Sequence, residues 1–223
     1  MGNIRKKRKD MKAILLTVIY LILTVCTFAT PHTADRIIYK GKEFKLFTNP
    51  LEILIEKNPN MEPRIAINDT TDLLPEYYVN FEIQDKQLFV KDIVILNESY
   101  HTELPSLFNK LFPNQNQVKA DWFTGLLVLP CGKQVNYVHM GYATTYENYI
   151  LLEINKGNLI QEMKMKSKEY EKFKDKQFAA YKKTDKYKKW ITDLKKEGDK
   201  TDEFLDSFLK IFLTDYTTII LPK

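Results

Sequence analysis

The chain has 223 residues, with 34 Lys and Arg against 29 Asp and Glu and a formal net charge of +5. Residues 1–29 hold six of the bases and one acid, so residues 30–223 carry 28 of each and are neutral. The positive balance therefore does not indicate a protein that binds nucleic acid. Residues 30–223 are enough for one hydrophobic core, and we expect a single domain.

The N-terminal segment has the order of a bacterial secretory signal peptide. A basic stretch, residues 5–12, is followed directly by an uncharged apolar run, residues 13–29. Thr27 and Ala29 place small residues where a signal peptidase cleaves. We therefore predict a signal peptide over residues 1–29 and a periplasmic or secreted protein. Translation can start at Met1 or at Met11, because Met11 also begins a compact signal peptide.

Two other fates of this segment fit the sequence. The apolar run of 17 residues is at the short end of the roughly 17 to 25 that span a bilayer. An uncleaved anchor would keep the basic flank cytoplasmic and the domain outside. Residues 23–26 resemble a lipobox, but Val25 stands where a small residue precedes the lipidated cysteine. Cleavage is the interpretation we favour, and it leaves Cys131 without a cysteine to pair with in the same chain.

The first part of the exported chain predicts a hairpin followed by a helix and a loop. Short apolar strands at 37–39 and 44–47 flank Lys40-Gly41-Lys42, which is typical of a tight turn. Pro50 suits the first position of a helix, where its missing N–H costs nothing. Residues 58–75 contain prolines and few apolar side chains, so we expect a loop there.

A second hairpin and a short helix follow. Alternation of apolar and polar side chains predicts strands over 77–83 and 88–96, joined by a turn at 84–86. Residues 103–112 place four apolar side chains on one helical face, and Pro113 ends the helix.

The rest of the chain changes from strand to helix periodicity. Four strand-like runs separated by turns predict an antiparallel meander: 118–130, 134–140, 144–154 and 158–165. Gly157 supplies the positive φ that the last hairpin loop needs. Three helical runs with period 3.6 follow, centred on Tyr170 to Tyr181, Tyr187 to Leu194 and Phe204 to Ile211. The fold class predicted is α+β, an antiparallel β-meander packed with C-terminal α-helices in a single domain.

The sequence lacks the motifs of the common catalytic classes. The serines lie outside any G-x-S-x-G turn, and the glycines are too dispersed for a phosphate cradle. The histidines lack the spacing of a zinc site, so we expect no metal and no cofactor. Cys131 and His139 could form a nucleophile and base across a turn at 130–133, but eight residues of offset place them far apart.

The densest group of polar and aromatic residues lies between residues 121 and 149. The candidate binding residues are Trp122, Tyr137, His139, Tyr142, Tyr146 and Glu147. Tyr137 and His139 share a strand face by alternation, and Gly141 can bend the chain so that Tyr142 and Tyr146 line the same mouth. Amphipathic aromatics suit a ligand or partner surface. The alternative is a set of ordinary sheet aromatics with a hydrogen-bonded histidine.

Several of these stretches resemble a family of small exported bacterial proteins with no assigned activity. The stretches are Asp121-Trp122-Phe123-Thr124-Gly125, the run 135–142, and Tyr146-Glu147-Asn148-Tyr149, together with residues 39–42, 49–52 and 172–178. The resemblance covers most of the exported chain. It implies export and one domain, and it carries no catalytic residues.

Two hypotheses about function follow. The first is a non-catalytic binding or immunity-type protein of the cell envelope, which engages a protein partner through the aromatic sheet surface or the lysine-rich residues 164–200. The second is an envelope hydrolase or transferase in which Glu147 or Asp121 acts as acid or base with His139. Neither hypothesis involves nucleic acid, and membrane contact is expected only through an uncleaved N-terminal segment.

Overall fold

The computed structural model describes residues 33–61, 65–67, 71–73, 76–96, 106–138, 142–196 and 200–212. The predicted signal peptide, residues 1–29, lies outside the described residues. Among the helices of the described ranges, none is both long enough and apolar enough to cross a membrane.

The described residues form an α+β fold with a mixed, mostly antiparallel sheet, which confirms the predicted class. The strands are β1 Asp35–Tyr39, β2 Lys42–Leu46, β3 Ile65–Ile67, β4 Thr71–Leu73, β5 Glu76–Gln84, β6 Gln87–Leu96, β7 Val118–Lys119, β8 Gly125–Asn136, β9 Thr145–Asn155 and β10 Asn158–Lys166. The helices are α1 Pro50–Lys57, α2 Phe108–Leu111, α3 Ser167–Tyr181, α4 Asp185–Lys196 and α5 Asp202–Phe212.

The main sheet has the strand order β2-β1-β5-β6-β10-β9-β8, and β7 pairs with β6 beside this path. Strands β8, β9 and β10 form an antiparallel meander of three strands, one fewer than the four predicted. Strand β1 pairs parallel to β5, whereas the other pairs are antiparallel. The sheet curves until its two end strands, β2 and β8, meet. At this junction Phe47 N, just after β2, donates a hydrogen bond to Val128 O of β8 at 2.8 Å. The Thr48 hydroxyl extends this junction by donating to Leu126 O at 3.1 Å.

Two cores lie on opposite faces of this curved sheet. The larger core holds Leu127, Leu129 and Leu152 together with side chains from β1, β5, β6 and α2. The second core holds Leu126, Val128 and Leu151, which pack against Tyr170 and Phe173 of α3. Strands β8 and β9 are therefore buried on both faces along 125–130 and 149–154. This double burial explains why their sequences are continuous apolar runs instead of alternating ones.

The last three helices share a third, smaller core. Phe178 and Tyr181 of α3 contact Leu209 of α5, and half-buried side chains of α4 pack against them. Lys182 forms an ion pair with Asp206, and Lys195 pairs with Asp202 at 2.6 Å. The first contact joins the end of α3 to α5, and the second joins α4 to α5.

The structure corrects the prediction around residues 118–140. The expected turn at 130–133 is not a turn, since β8 runs without interruption from Gly125 to Asn136. Gly132 adopts a φ of +80° at a register shift in the β8–β9 pairing, and an ideal Cβ there would lie 2.9 Å from Glu147 Oε2. Glycine therefore marks a bulge inside one long strand. The break falls earlier, in the non-strand residues between β7 and β8.

Three smaller predictions also need correction. The predicted loop 58–75 contains a 3₁₀ turn at Pro59–Met61 and the short hairpin β3–β4. The helix predicted over 103–112 is reduced to Phe108–Leu111 within the described residues. The β9–β10 loop is a two-residue turn of Lys156 and Gly157, both with positive φ. The predicted glycine position is confirmed. The loop is one residue shorter than the three residues, 155–157, between the predicted strands.

Candidate functional site

Three of the predicted binding residues contact one short segment, the connection from β2 to α1. The Tyr142 ring stacks on Phe47, with centroids 4.8 Å apart, and its hydroxyl donates to Asn49 Oδ1. Tyr146 meets the same Phe47 ring edge-on at 5.9 Å. Trp122 Nε1 donates to Pro50 O at 2.9 Å. The sequence thus predicted a cluster, and the structure places part of it around residues 47–50.

The contacts of these aromatic side chains are internal. Burial raises the pKa of Tyr142, and the nearby Asp35 carboxyl raises it further, so the hydroxyl stays protonated and donates. Trp122 stacks on Phe112 with the ring planes 14° apart. Both side chains therefore stabilise the corner where β2 passes into α1, instead of lining an open mouth.

The two candidate catalytic carboxylates lie far apart. Asp121 is exposed, and its backbone N would be 3.2 Å from a Cβ on Gly157. Glu147 lies ten residues before Gly157. At about 3.3 Å per strand residue this places Glu147 roughly 30 Å from Gly157, and therefore from Asp121. A single site cannot use both groups. His139, the proposed assistant, lies outside the described residues.

Cys131 has the environment of a structural thiol. It is half-buried against the larger core and lies within β8, beside the bulge at Gly132. Burial raises its pKa, and the charge of Lys164 opposes this shift. A raised thiol pKa lowers the thiolate fraction, which disfavours Cys131 as a nucleophile.

The structure adds a buried carboxyl group that the sequence analysis did not single out. Asp35 is buried at the start of β1, and its Oδ1 accepts a hydrogen bond from Val79 N at 2.7 Å. Burial raises the pKa of Asp35 to about 8; the Val79 hydrogen bond opposes this shift, and the charge of Glu52 adds to it. Glu52 in turn accepts a hydrogen bond from the Tyr77 hydroxyl at 2.8 Å.

A signal for Asp35 was present in the sequence. Asp35, Ile37 and Tyr39 alternate along β1 and all three are buried. Extending the period of the predicted strand by one step toward the N-terminus places the acid on the core face. Asp35 was missed because strand ends are difficult to locate from sequence.

Searches against models of protein families, curated proteins and solved structures find no match for this chain. The resemblance to a family of small exported proteins therefore stays a prediction. Within the described ranges, no group of three or more His, Cys, Asp and Glu side chains is placed to hold a metal ion.

The predicted residues Tyr137 and Glu147 lie on a different feature, an exposed two-stranded arm. We define the arm as residues 132–137 together with the β9 residues 145–148, of which Thr145 and Tyr146 pair with Asn136 and Gln134. Residues 132–137 are all exposed, and Val135 and Tyr137 are 61% and 63% exposed. Glu147 Oε2 accepts a hydrogen bond from Lys133 N at 2.9 Å, which holds the bulge at the base of the arm.

The arm has the properties of a recognition surface. Strand β8 is the last strand of the sheet order, and in the described part of the chain the strand pairing of its arm portion is with β9 alone. An exposed edge offers backbone N–H and C=O groups to another chain. Exposed apolar side chains beside such an edge supply contact area, as in strand addition by a peptide or protein. The rigid double burial of 125–130 and 149–154 holds the arm in place.

Proposed function

We propose that this protein is an exported, non-catalytic binding protein of the cell envelope, of the immunity type, and that it engages a protein partner through the arm. The observation that carries the proposal is the exposure of Val135 on an edge strand anchored in a doubly buried sheet, and of Tyr137 directly after that strand. Two large apolar side chains next to unpaired strand edge are a costly arrangement unless a partner covers them.

The chemistry of the remaining candidates supports binding over catalysis. The Glu147 carboxylate is engaged by the Lys133 amide, and Asp121 lies at the opposite end of β9. Trp122 and Tyr142 hold the β2–α1 corner. The hydrolase or transferase hypothesis would have to use one of these two carboxylates without the other.

The location is proposed from the sequence. The basic stretch and apolar run of residues 1–29 favour export to the periplasm or the medium, and an uncleaved segment would instead anchor the domain facing outward. In either case the partner is expected in the envelope or outside the cell.

A capture experiment with matched variants tests the proposal. The full chain with Val135→Ser and Tyr137→Ser removes the apolar surface of the arm. Ile160→Ser is the control, because Ile160 is 57% exposed on β10 and lies outside the arm. We expect the wild type and the control to capture the same envelope protein, and the arm variant to lose it while remaining folded, as judged by its circular dichroism spectrum. Equal capture by all three chains, or capture by none, would refute the proposal.

A further inference from the structure

The C-terminal helices have an excess of basic residues, and the rest of the exported chain has a matching excess of acidic residues. Residues 164–200 contain 14 Lys against 7 acids, whereas residues 33–163 contain 12 bases against 17 acids. The exported chain is thus neutral as a whole but has a charge dipole. A dipole of this sign turns the helical end toward an anionic surface.

Helix α4 is the most exposed part of this basic region. All 12 of its residues are described, and none is buried. The pairs Lys188–Asp185 and Lys196–Asp193 join exposed groups on the helix surface at 2.9 and 2.8 Å. Exposed pairs of this kind are weak and screened by salt, so they leave the helix with a positive potential.

Trp190 stands at the border of this basic surface. Its side chain is 40% exposed, although Tyr187 and Ile191 of the same helix pack on the third core. Lys186 lies one turn before Trp190, and Lys189 immediately before it. An indole at the edge of a lysine-rich helix face is typical of helices that lie at a lipid–water interface.

The type of cation distinguishes a lipid surface from an acidic protein. Residues 164–200 contain 14 Lys and no Arg. Protein–protein interfaces are enriched in Arg and depleted in Lys, because the planar guanidinium binds carboxylates in a bidentate way. Attraction to anionic lipid headgroups needs only a dense positive charge near the surface, which lysines supply.

We propose that α4 docks on an anionic lipid surface, with Trp190 at the level of the headgroups. Lys186 and Lys189 of the helix, and Lys183 in the turn before it, would face the lipid phosphates. The residues of this surface are different from those of the arm, so the protein would use separate residues for the membrane and for its partner. The inference does not depend on the proposed binding function.

Trp190 provides a local probe of this docking in the full chain. The protein is added to vesicles of phosphatidylcholine, or of phosphatidylglycerol and phosphatidylcholine, that contain brominated lipid, which quenches a tryptophan in contact with it. The variant Trp190→Phe retains Trp122 and gives the background signal. We expect quenching of Trp190 that rises with the phosphatidylglycerol fraction, is absent on phosphatidylcholine alone and is reversed by high salt.

Matched charge variants complete the test. In Lys183→Gln/Lys186→Gln/Lys189→Gln, the docking equilibrium should shift about 100-fold toward the undocked helix, since each lysine near an anionic surface contributes about fivefold. The control Lys42→Gln/Lys45→Gln/Lys57→Gln removes the same charge from exposed positions outside the C-terminal helices and the arm and should behave as wild type. Any contact of residues 1–29 with lipid is common to all variants and leaves the comparison intact.

Three results would overturn the proposal. These are no quenching of Trp190 on phosphatidylglycerol vesicles, equal quenching on phosphatidylcholine, and equal losses in the two triple variants. A Trp190 spectrum that responds to polyglutamate and not to vesicles would likewise overturn it, and would indicate an acidic protein as the partner of α4.

Discussion

The sheet and the C-terminal helices of this protein are stabilised in opposite ways. Strands β8 and β9 bury long apolar runs on both faces, between two cores. Helix α4 buries no residue completely, and α4 and α5 depend on a small third core and on ion pairs with exposed lysines. Since apolar burial stabilises a fold far more than exposed ion pairs do, the helical pair should open before the sheet.

This difference also separates the two proposed surfaces. The arm continues directly from the doubly buried strands, so its backbone is held at a fixed position for a specific partner. The basic surface of α4 lies on the less stable region, where an approximate orientation is sufficient for attraction to headgroups. The comparison predicts which substitutions affect the whole fold and which remain local.

The largest effect is expected in the sheet. Leu152→Ala removes a fully buried side chain from the larger core and should lower the free energy of unfolding by about 3 kcal/mol. Urea denaturation measures this loss. The control Ile160→Ala, at an exposed position, should change it by less than about 0.5 kcal/mol. Similar losses in the two variants would contradict the assigned core.

The buried Asp35 predicts a pH dependence of stability. Its folded pKa is about 8, against 3.8 for the unfolded chain. Between these values the folded protein holds a proton that the unfolded chain has released, so the free energy of unfolding falls as pH rises. The contribution is complete below the unfolded pKa and is lost as pH rises through about 8.

The variant Asp35→Asn isolates this contribution, because asparagine keeps an acceptor for Val79 N and does not titrate. Relative to this variant, the wild type should lose about 1.4 kcal/mol per pH unit within that window. Chemical denaturation at pH 5, 6 and 7 gives the slope for both chains. Parallel pH profiles would show that Asp35 is ionised in the folded protein.

A smaller and local effect is expected in the helical pair. Ile191→Ala removes three carbons of a half-buried side chain. A fully buried carbon contributes about 0.8 kcal/mol, so at half burial the free energy of unfolding should fall by roughly 1.2 kcal/mol. Hydrogen exchange should show faster exchange in α4 and α5 and unchanged protection in β9. Uniformly faster exchange across both regions would mean that they unfold as one unit.

The smallest effect concerns the β2–α1 corner. Tyr142→Phe keeps the ring on Phe47 and removes the hydrogen bond to Asn49, which should cost about 1 kcal/mol. Tyr146→Phe is the matched control, because it keeps a ring against the same Phe47 and should leave the free energy of unfolding unchanged. If Tyr142→Phe had the same free energy of unfolding as the wild type, the corner would not depend on this hydroxyl.

The sequence predicted the elements whose periodicity reflects local packing. The hairpins 35–46 and 76–96, helix α1 and the three C-terminal helices each show one clear period, and the structure contains all of them. The turn predicted at 130–133 was wrong because proline and glycine also occur at bulges, and only the contact with Glu147 on the neighbouring strand β9 distinguishes the two cases.

The candidate site shows a similar limit. Tyr142 and Tyr146 meet on the ring of Phe47, which lies far away along the chain. Trp122 instead contacts Pro50 and Phe112 and packs against the larger core. Two long-range contacts bring these residues together. One is the hydrogen bond from Phe47 N to Val128 O that closes the sheet, and the other is the parallel pairing of β1 with β5. Neither long-range contact leaves a periodic signal in one sequence.

Site-specific cross-linking in the producing cell tests the central claim most directly. A photoreactive amino acid replaces Tyr137 on the arm in one chain and Ile160 on β10 in another, with the rest of the protein unchanged. The account predicts that position 137 forms a covalent adduct with one envelope protein and that position 160 does not. No adduct from 137, or the same adducts from both positions, would contradict the arm as the recognition surface.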